Sequence, residues 1–135
     1  MKKKQILNIF FVLMVSFSCA AQSVPLNAKE ILTSNDWKID GFGAETVYKI
    51  KFTDTAIIVH LNGELIGERK YYFSTTLNDC SPNGFNENNV GSSIGGKYLI
   101  SEKSCIELVN VSENELKFKS VYGGNPNNIT TASPF

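Results

Sequence analysis

Few residues in this chain of 135 are of types that do chemistry. His60 is the only histidine, and it falls in the apolar run Ala56-Ile57-Ile58-Val59-His60-Leu61. A lone imidazole there is either a ligand contact or proton carrier, or a rim imidazole with no partner. With no acid at a useful spacing the second is favoured, and no GxSxG segment supplies a nucleophile. Gly95-Gly96 precedes a strand pattern and not a helix, so it is no phosphate loop. Asp79, Asn86, Glu87 and Asn88 offer oxygen ligands without the alternating spacing of a calcium loop. Glu113 and Glu115 sit in a turn and read as solubilising. The residues therefore suggest no metal site, no cofactor and a non-enzymatic role.

Three cysteines remain, at 19, 80 and 105. Cys19 lies in a leader-like segment, which leaves Cys80 and Cys105 as an even pair. No CxxC and no neighbouring His favours metal or redox use, so a structural disulfide is expected. It would close a loop of about 26 residues, for which loop-closure entropy gives about 3–4 kcal/mol.

Residues 1–21 read as an export signal. Lys2, Lys3 and Lys4 precede an apolar run from Ile6 to Phe17, shorter than the roughly 20 residues that a membrane span needs. Two cleavages fit: after Ala21, leaving Gln22 first, or before Cys19, with Ser16-Phe17-Ser18-Cys19 resembling a bacterial lipobox and Cys19 carrying the lipid. Any membrane attachment would run through that anchor. Loss of residues 1–21 removes three of the thirteen basic residues and no acid, so the rest carries about −3. That excludes the dense basic surface that nucleic acid requires.

The elements that would position these residues are strands. In Val47–Leu61, Tyr48, Ile50 and Phe52 alternate with Lys49, Lys51 and Thr53, the period of a half-buried strand. Thr53-Asp54-Thr55 breaks the run, Thr55–Leu61 resumes it, and Asn62-Gly63 signals a tight hairpin into Glu64–Thr75. In that fourth strand Leu65, Gly67, Arg69, Tyr71, Phe73 and Thr75 share a face. Arg69 is then either an inward cation suited to an anionic ligand, or is turned outward by a bulge at Gly67; the glycine favours the bulge. Further strands are expected at Trp37–Asp40, Lys97–Ser101, Cys105–Val111, Leu116–Tyr122 and Ile129–Ala132. Asn27 and Glu30 suggest a short capped helix over Ala28–Leu32. Residues 22–30 form a tether and 31–135 one domain. Residues 77–96 form one long Asn/Gly/Ser-rich loop, with Phe85 and Ile94 able to fold it back as a lid.

Seven or eight short antiparallel strands joined by regular turns predict an all-β, up-and-down barrel. The run Ile31-Leu32 before Trp37-Lys38-Ile39, the segment Tyr48–Asp54, Gly96-Lys97-Tyr98-Leu99-Ile100, and Ile106–Val111 with Glu115-Leu116-Lys117-Phe118 resemble the small lipocalin-like domains of exported bacterial proteins and lipoproteins. That resemblance implies that Trp37 plugs the closed end of the barrel. It implies a cell-envelope location, periplasmic, secreted or anchored at the outer membrane. It also implies a binding module for a small hydrophobic molecule, with Tyr48, Ile50, Phe52, Tyr71, Phe73, Phe118 and Tyr122 as candidate lining. The alternative is a filled barrel that binds a protein partner, as an envelope inhibitor or immunity-type protein, through the loop at 77–96. An open cavity of a few hundred Å³ separates the first from the second.

Overall fold

Alternation of one apolar and one polar face gives each strand a surface to bury, and a closed barrel buries them all without leaving an edge. The computed structural model describes residues 24–92 and 96–135; the expected leader with Cys19, and Ile94 in the long loop, lie outside the described residues. Among the described residues one α-helix, α1 (Ala28–Ser34), precedes eight strands: β1 (Asp36–Ile39), β2 (Tyr48–Phe52), β3 (Ala56–Leu61), β4 (Glu64–Ser74), β5 (Tyr98–Ser101), β6 (Cys105–Val111), β7 (Leu116–Tyr122) and β8 (Ile129–Pro134). All pairings are antiparallel between sequence neighbours, and β1 pairs with β8 to close the barrel. The up-and-down barrel expected from the strand count is thus the architecture, consistent with a lipocalin-like fold. Asn27 precedes α1 as expected, but its side chain makes no cap hydrogen bond.

Local chemistry fixes the turns. Asn62 and Gly63 take φ of +50° and +87°, the left-handed pair that a two-residue hairpin needs. Asn62 Oδ1 also accepts from Val47 N at 2.8 Å, tying this hairpin to the start of β2.

Three bulges set which side chains point inward. Val59 faces Gly67 while His60 faces Leu65, so Ile66 is the extra residue of β4. Val121 in β7 and Val109 in β6 are the other two. The bulge in β4 lies one residue before Gly67. Tyr71 and Phe73, locked in the core, hold the second half of the strand in phase, and the shift falls on Leu65. Arg69 therefore keeps the inward register, correcting the expectation that a bulge turns it outward.

The barrel core joins Trp37, Ile50, Phe52, Tyr71, Phe73, Leu99, Leu108 and Leu116, with Ala28 and Leu32 of α1. Trp37 is fully buried, and its Nε1 donates to the Leu32 carbonyl at 3.1 Å. The indole thus fastens α1 across one end of the barrel, the plug that the sequence resemblance implied.

A second, smaller core lies on the outer wall. Tyr72, Tyr98, Ile100 and Cys105 face outward there, and Cys80 and Phe85 of the long loop pack on them. The Tyr72 hydroxyl donates to Gly84 O at 2.9 Å and accepts from Asn86 N at 3.1 Å. The Cys80–Cys105 disulfide spans Cα atoms 5.4 Å apart and pins the loop to β6. The described part of the loop is therefore not a lid over the barrel: its aromatic anchor lies on the side wall. Two 3-10 turns, Leu77–Asp79 and Glu87–Asn89, give it internal order. Replacing both Cys80 and Cys105 by Ser should lower the urea-derived unfolding free energy by about 3 kcal/mol. Unchanged stability in the double variant would show that the Tyr72–Phe85 contacts hold the loop without the bridge.

Candidate functional site

Strand direction places α1, the Thr53–Thr55 turn and the Ser112–Glu115 turn at one end of the barrel. The β1–β2 loop, the Asn62-Gly63 turn, the β5–β6 turn at 102–104 and the β7–β8 loop lie at the other. Side chains of α1 fill the first end, while the second opens into the barrel. Here the inward faces of β2, β3, β4, β6 and β7 enclose a cavity of about 330 Å³. Ile50, Phe52, Ile57, Val59, Ile66, Ile106 and Phe118 give it apolar walls, and Gly67 leaves a gap where a side chain would otherwise stand.

The remaining lining residues are Arg69, Ser101 and Ser104, and they form one cluster. Arg69 is exposed at the mouth, and its Nη1 donates to Ser104 Oγ at 3.2 Å. Ser101, buried at the end of β5, donates to the Ser104 carbonyl at 2.9 Å, and the two hydroxyls lie 2.6 Å apart. The cluster exists because β4 overhangs: its residues from 64 to 70 pair with β3 alone, whereas β5 begins to pair only at Tyr71. The β5–β6 turn then comes level with Arg69.

Of the seven side chains expected to line a cavity, Ile50, Phe52 and Phe118 do so. Tyr71 and Phe73 are inside the barrel but belong to the packed half nearer α1. Tyr48 stands at the rim with its ring 4.7 Å from that of Phe42. Tyr122 lies outside: the bulge at Val121 reverses its face, and it packs on the outer cluster around Cys105. Ser101 and Ser104 were not legible as site residues, since two serines flanking Glu102-Lys103 look like an ordinary polar turn.

His60 is on the outer face, between Lys49 of β2 and Leu65 of β4. Its Nδ1 is buried without a hydrogen-bond partner, and no carboxylate among the described residues pairs with it. Among the described residues no group of three or more His, Cys, Asp or Glu is arranged to hold a metal ion. A larger depression, about 510 Å³, lies beside Val24–Leu26 on the outer wall. Its charged residues satisfy one another: Glu107 takes Lys97 at 3.0 Å and Lys119 at 3.2 Å. Burial acts to raise the Glu107 pKa, but the hydrogen bonds and charges of the two lysines outweigh it and hold the carboxyl below its usual range.

Fold and site together define a small antiparallel barrel, plugged at one end and open at the other onto an apolar cavity with one cation at its mouth. Comparison with protein-family models, with curated proteins and with solved structures finds no match for this chain.

Below the cavity, the Tyr71 hydroxyl donates to Thr53 O at 2.7 Å. Burial, and secondarily the Asp54 carboxylate, raise its pKa well above the ordinary tyrosine value near 10. The folded barrel thus keeps a proton that the unfolded chain loses above about pH 10. This contribution to stability is full below that pH and is lost as pH rises further. Tyr71→Phe should flatten the alkaline fall in unfolding free energy relative to wild type, while costing about 1 kcal/mol at neutral pH from the lost hydrogen bond. Parallel curves for the two proteins between pH 8 and 11 would refute the assignment.

Proposed function

We propose that this protein is a non-enzymatic binding module of the bacterial cell envelope that takes one small hydrophobic molecule into its barrel. The observation that carries this reading is the apolar cavity of about 330 Å³, open at one end of a barrel whose other end is plugged by α1. Its size falls within the range of small-molecule sites, and its walls are apolar with a few convergent polar groups, as such sites are. At about 30 Å³ for each water-sized group, it takes on the order of ten methylene-sized groups. The disulfide is consistent with an oxidising compartment, and the leader-like segment at 1–21 supports export, with Cys19 as a candidate lipid anchor. A protein partner at the 77–96 loop is the weaker alternative, because Phe85 is turned onto Tyr72 and away from solvent partners.

The neutral fluorophore N-phenyl-1-naphthylamine tests the cavity directly. It should brighten on binding with one site per chain, and Val59→Trp should abolish that signal by filling the cavity. Circular dichroism of Val59→Trp should still report a folded barrel, at a stability cost of about 1–3 kcal/mol for overpacking. Ile57→Phe, a smaller intrusion, should weaken binding partially. No saturable signal in wild type, or full binding in both folded variants, would remove the barrel cavity as the site.

A further inference from the structure

We infer that the barrel selects ligands bearing a compact anionic head group, carboxylate or phosphate, on a single apolar chain, and that Arg69 with Ser104 reads that head group at the cavity mouth. The inference rests on the proposed binding role and names the class of ligand.

The asymmetry of the cavity carries the argument. Its walls are hydrocarbon apart from Arg69, Ser101 and Ser104, and these three are contiguous at the mouth. No carboxylate lines the cavity, and none among the described residues forms an ion pair with Arg69. The other residues of β4 that face the interior are Ile66, Gly67, Tyr71 and Phe73, so a guanidinium in this row is out of keeping with its neighbours. One of its five N–H donors goes to Ser104, which leaves the planar fork free to meet two oxygens of an anion side by side.

The serines orient it. Ser101 commits its proton to the Ser104 carbonyl, and the Ser104 Oγ lies against both Ser101 Oγ and Arg69 Nη1. Ser101 is buried at the last position of β5 and so fixes the turn that carries Ser104. A chain extending from this mouth would run down over Ile57, Phe52 and Phe118 towards the plugged end. A neutral ligand would gain the same walls but would leave the guanidinium without a counter-charge, and that difference is the source of selectivity.

Displacement of bound N-phenyl-1-naphthylamine by decanoate, decyl phosphate and decanol, the two anions below their micelle thresholds and the alcohol below its solubility limit, tests this. In wild type at least one of the two anions should displace the probe at lower concentration than decanol, and the better one identifies the head group. Arg69→Gln should reduce that anion-over-alcohol preference about tenfold, the effect of losing a charge-assisted hydrogen bond. Decanol displacement should be unchanged in Arg69→Gln, and Arg69→Lys should restore part of the preference. An equal preference in wild type and Arg69→Gln would overturn the inference, as would parallel loss of anion and alcohol, which is what a merely structural bridge to Ser104 predicts. Probe binding that none of the three chains displaces would also overturn it while leaving the cavity in use. If the probe itself never binds wild type, the binding reading falls and this one with it.

Discussion

The bond from the Trp37 indole to the Leu32 carbonyl decides which end of the barrel is available. A short helix in water is unstable alone, and α1 has only seven residues and no side-chain cap. It is held because Ala28 and Leu32 lie in the same core as Trp37 and because Trp37 satisfies a carbonyl at its C-terminal half. The indole is large enough to fill the end of the barrel and has one polar atom, which finds its partner in the helix it supports. Everything inside is then one-sided: packed side chains near α1, space near the opposite rim.

Within the wall, the bulges do more than bend strands. Each transfers the residues beyond it to the other face, so each is a switch of destination for the side chains that follow. The bulge at Ile66 turns Leu65 outward without moving Arg69, and the bulge at Val121 gives Tyr122 to the outer cluster. The outer cluster in turn gives the long loop a place to dock. Gly96, where the chain returns from that loop, lies so close against the Ser74 backbone that no side chain fits there. The patch of wall around Tyr72, Ile100 and Cys105 is thereby covered on both faces, which is why Tyr72 and Ile100 are large and buried although they point away from the barrel.

How far the sequence could be read follows from this. Alternation and turn residues located the strands closely; β6 and β7 begin and end where their patterns do, and Asn62-Gly63 makes the turn it announces. The barrel follows from strand number and connection length. Phase was harder to read. A bulge is one residue long and leaves almost no compositional mark when it falls on Ile66 or Val121, which look like any other strand residue. The glycine at 67 drew attention to the right strand and the wrong position. The Ser101–Ser104 cluster was invisible for a different reason, since it arises from the height of one turn against another strand, a quantity fixed by the staggering of the whole barrel. The outward row of aromatics on β4 and β5 had a signal in hindsight: consecutive Tyr71-Tyr72-Phe73 and Tyr98-Leu99-Ile100 are apolar at every position, the mark of a wall covered twice.

The pairing of β1 with β8 has a temporal consequence. Seven of the eight strand contacts join sequence neighbours, and all but β4–β5, which spans the long loop, form across short connections that cost little entropy to close. The eighth brings Trp37 opposite Pro134, nearly the whole described chain apart. It forms only once β8, which also pairs with β7, has been made. Until that moment β1 is an unsealed edge, with its backbone groups exposed to pair with any strand at hand. That delay makes the stay in the unclosed state the interval in which aggregation competes with folding.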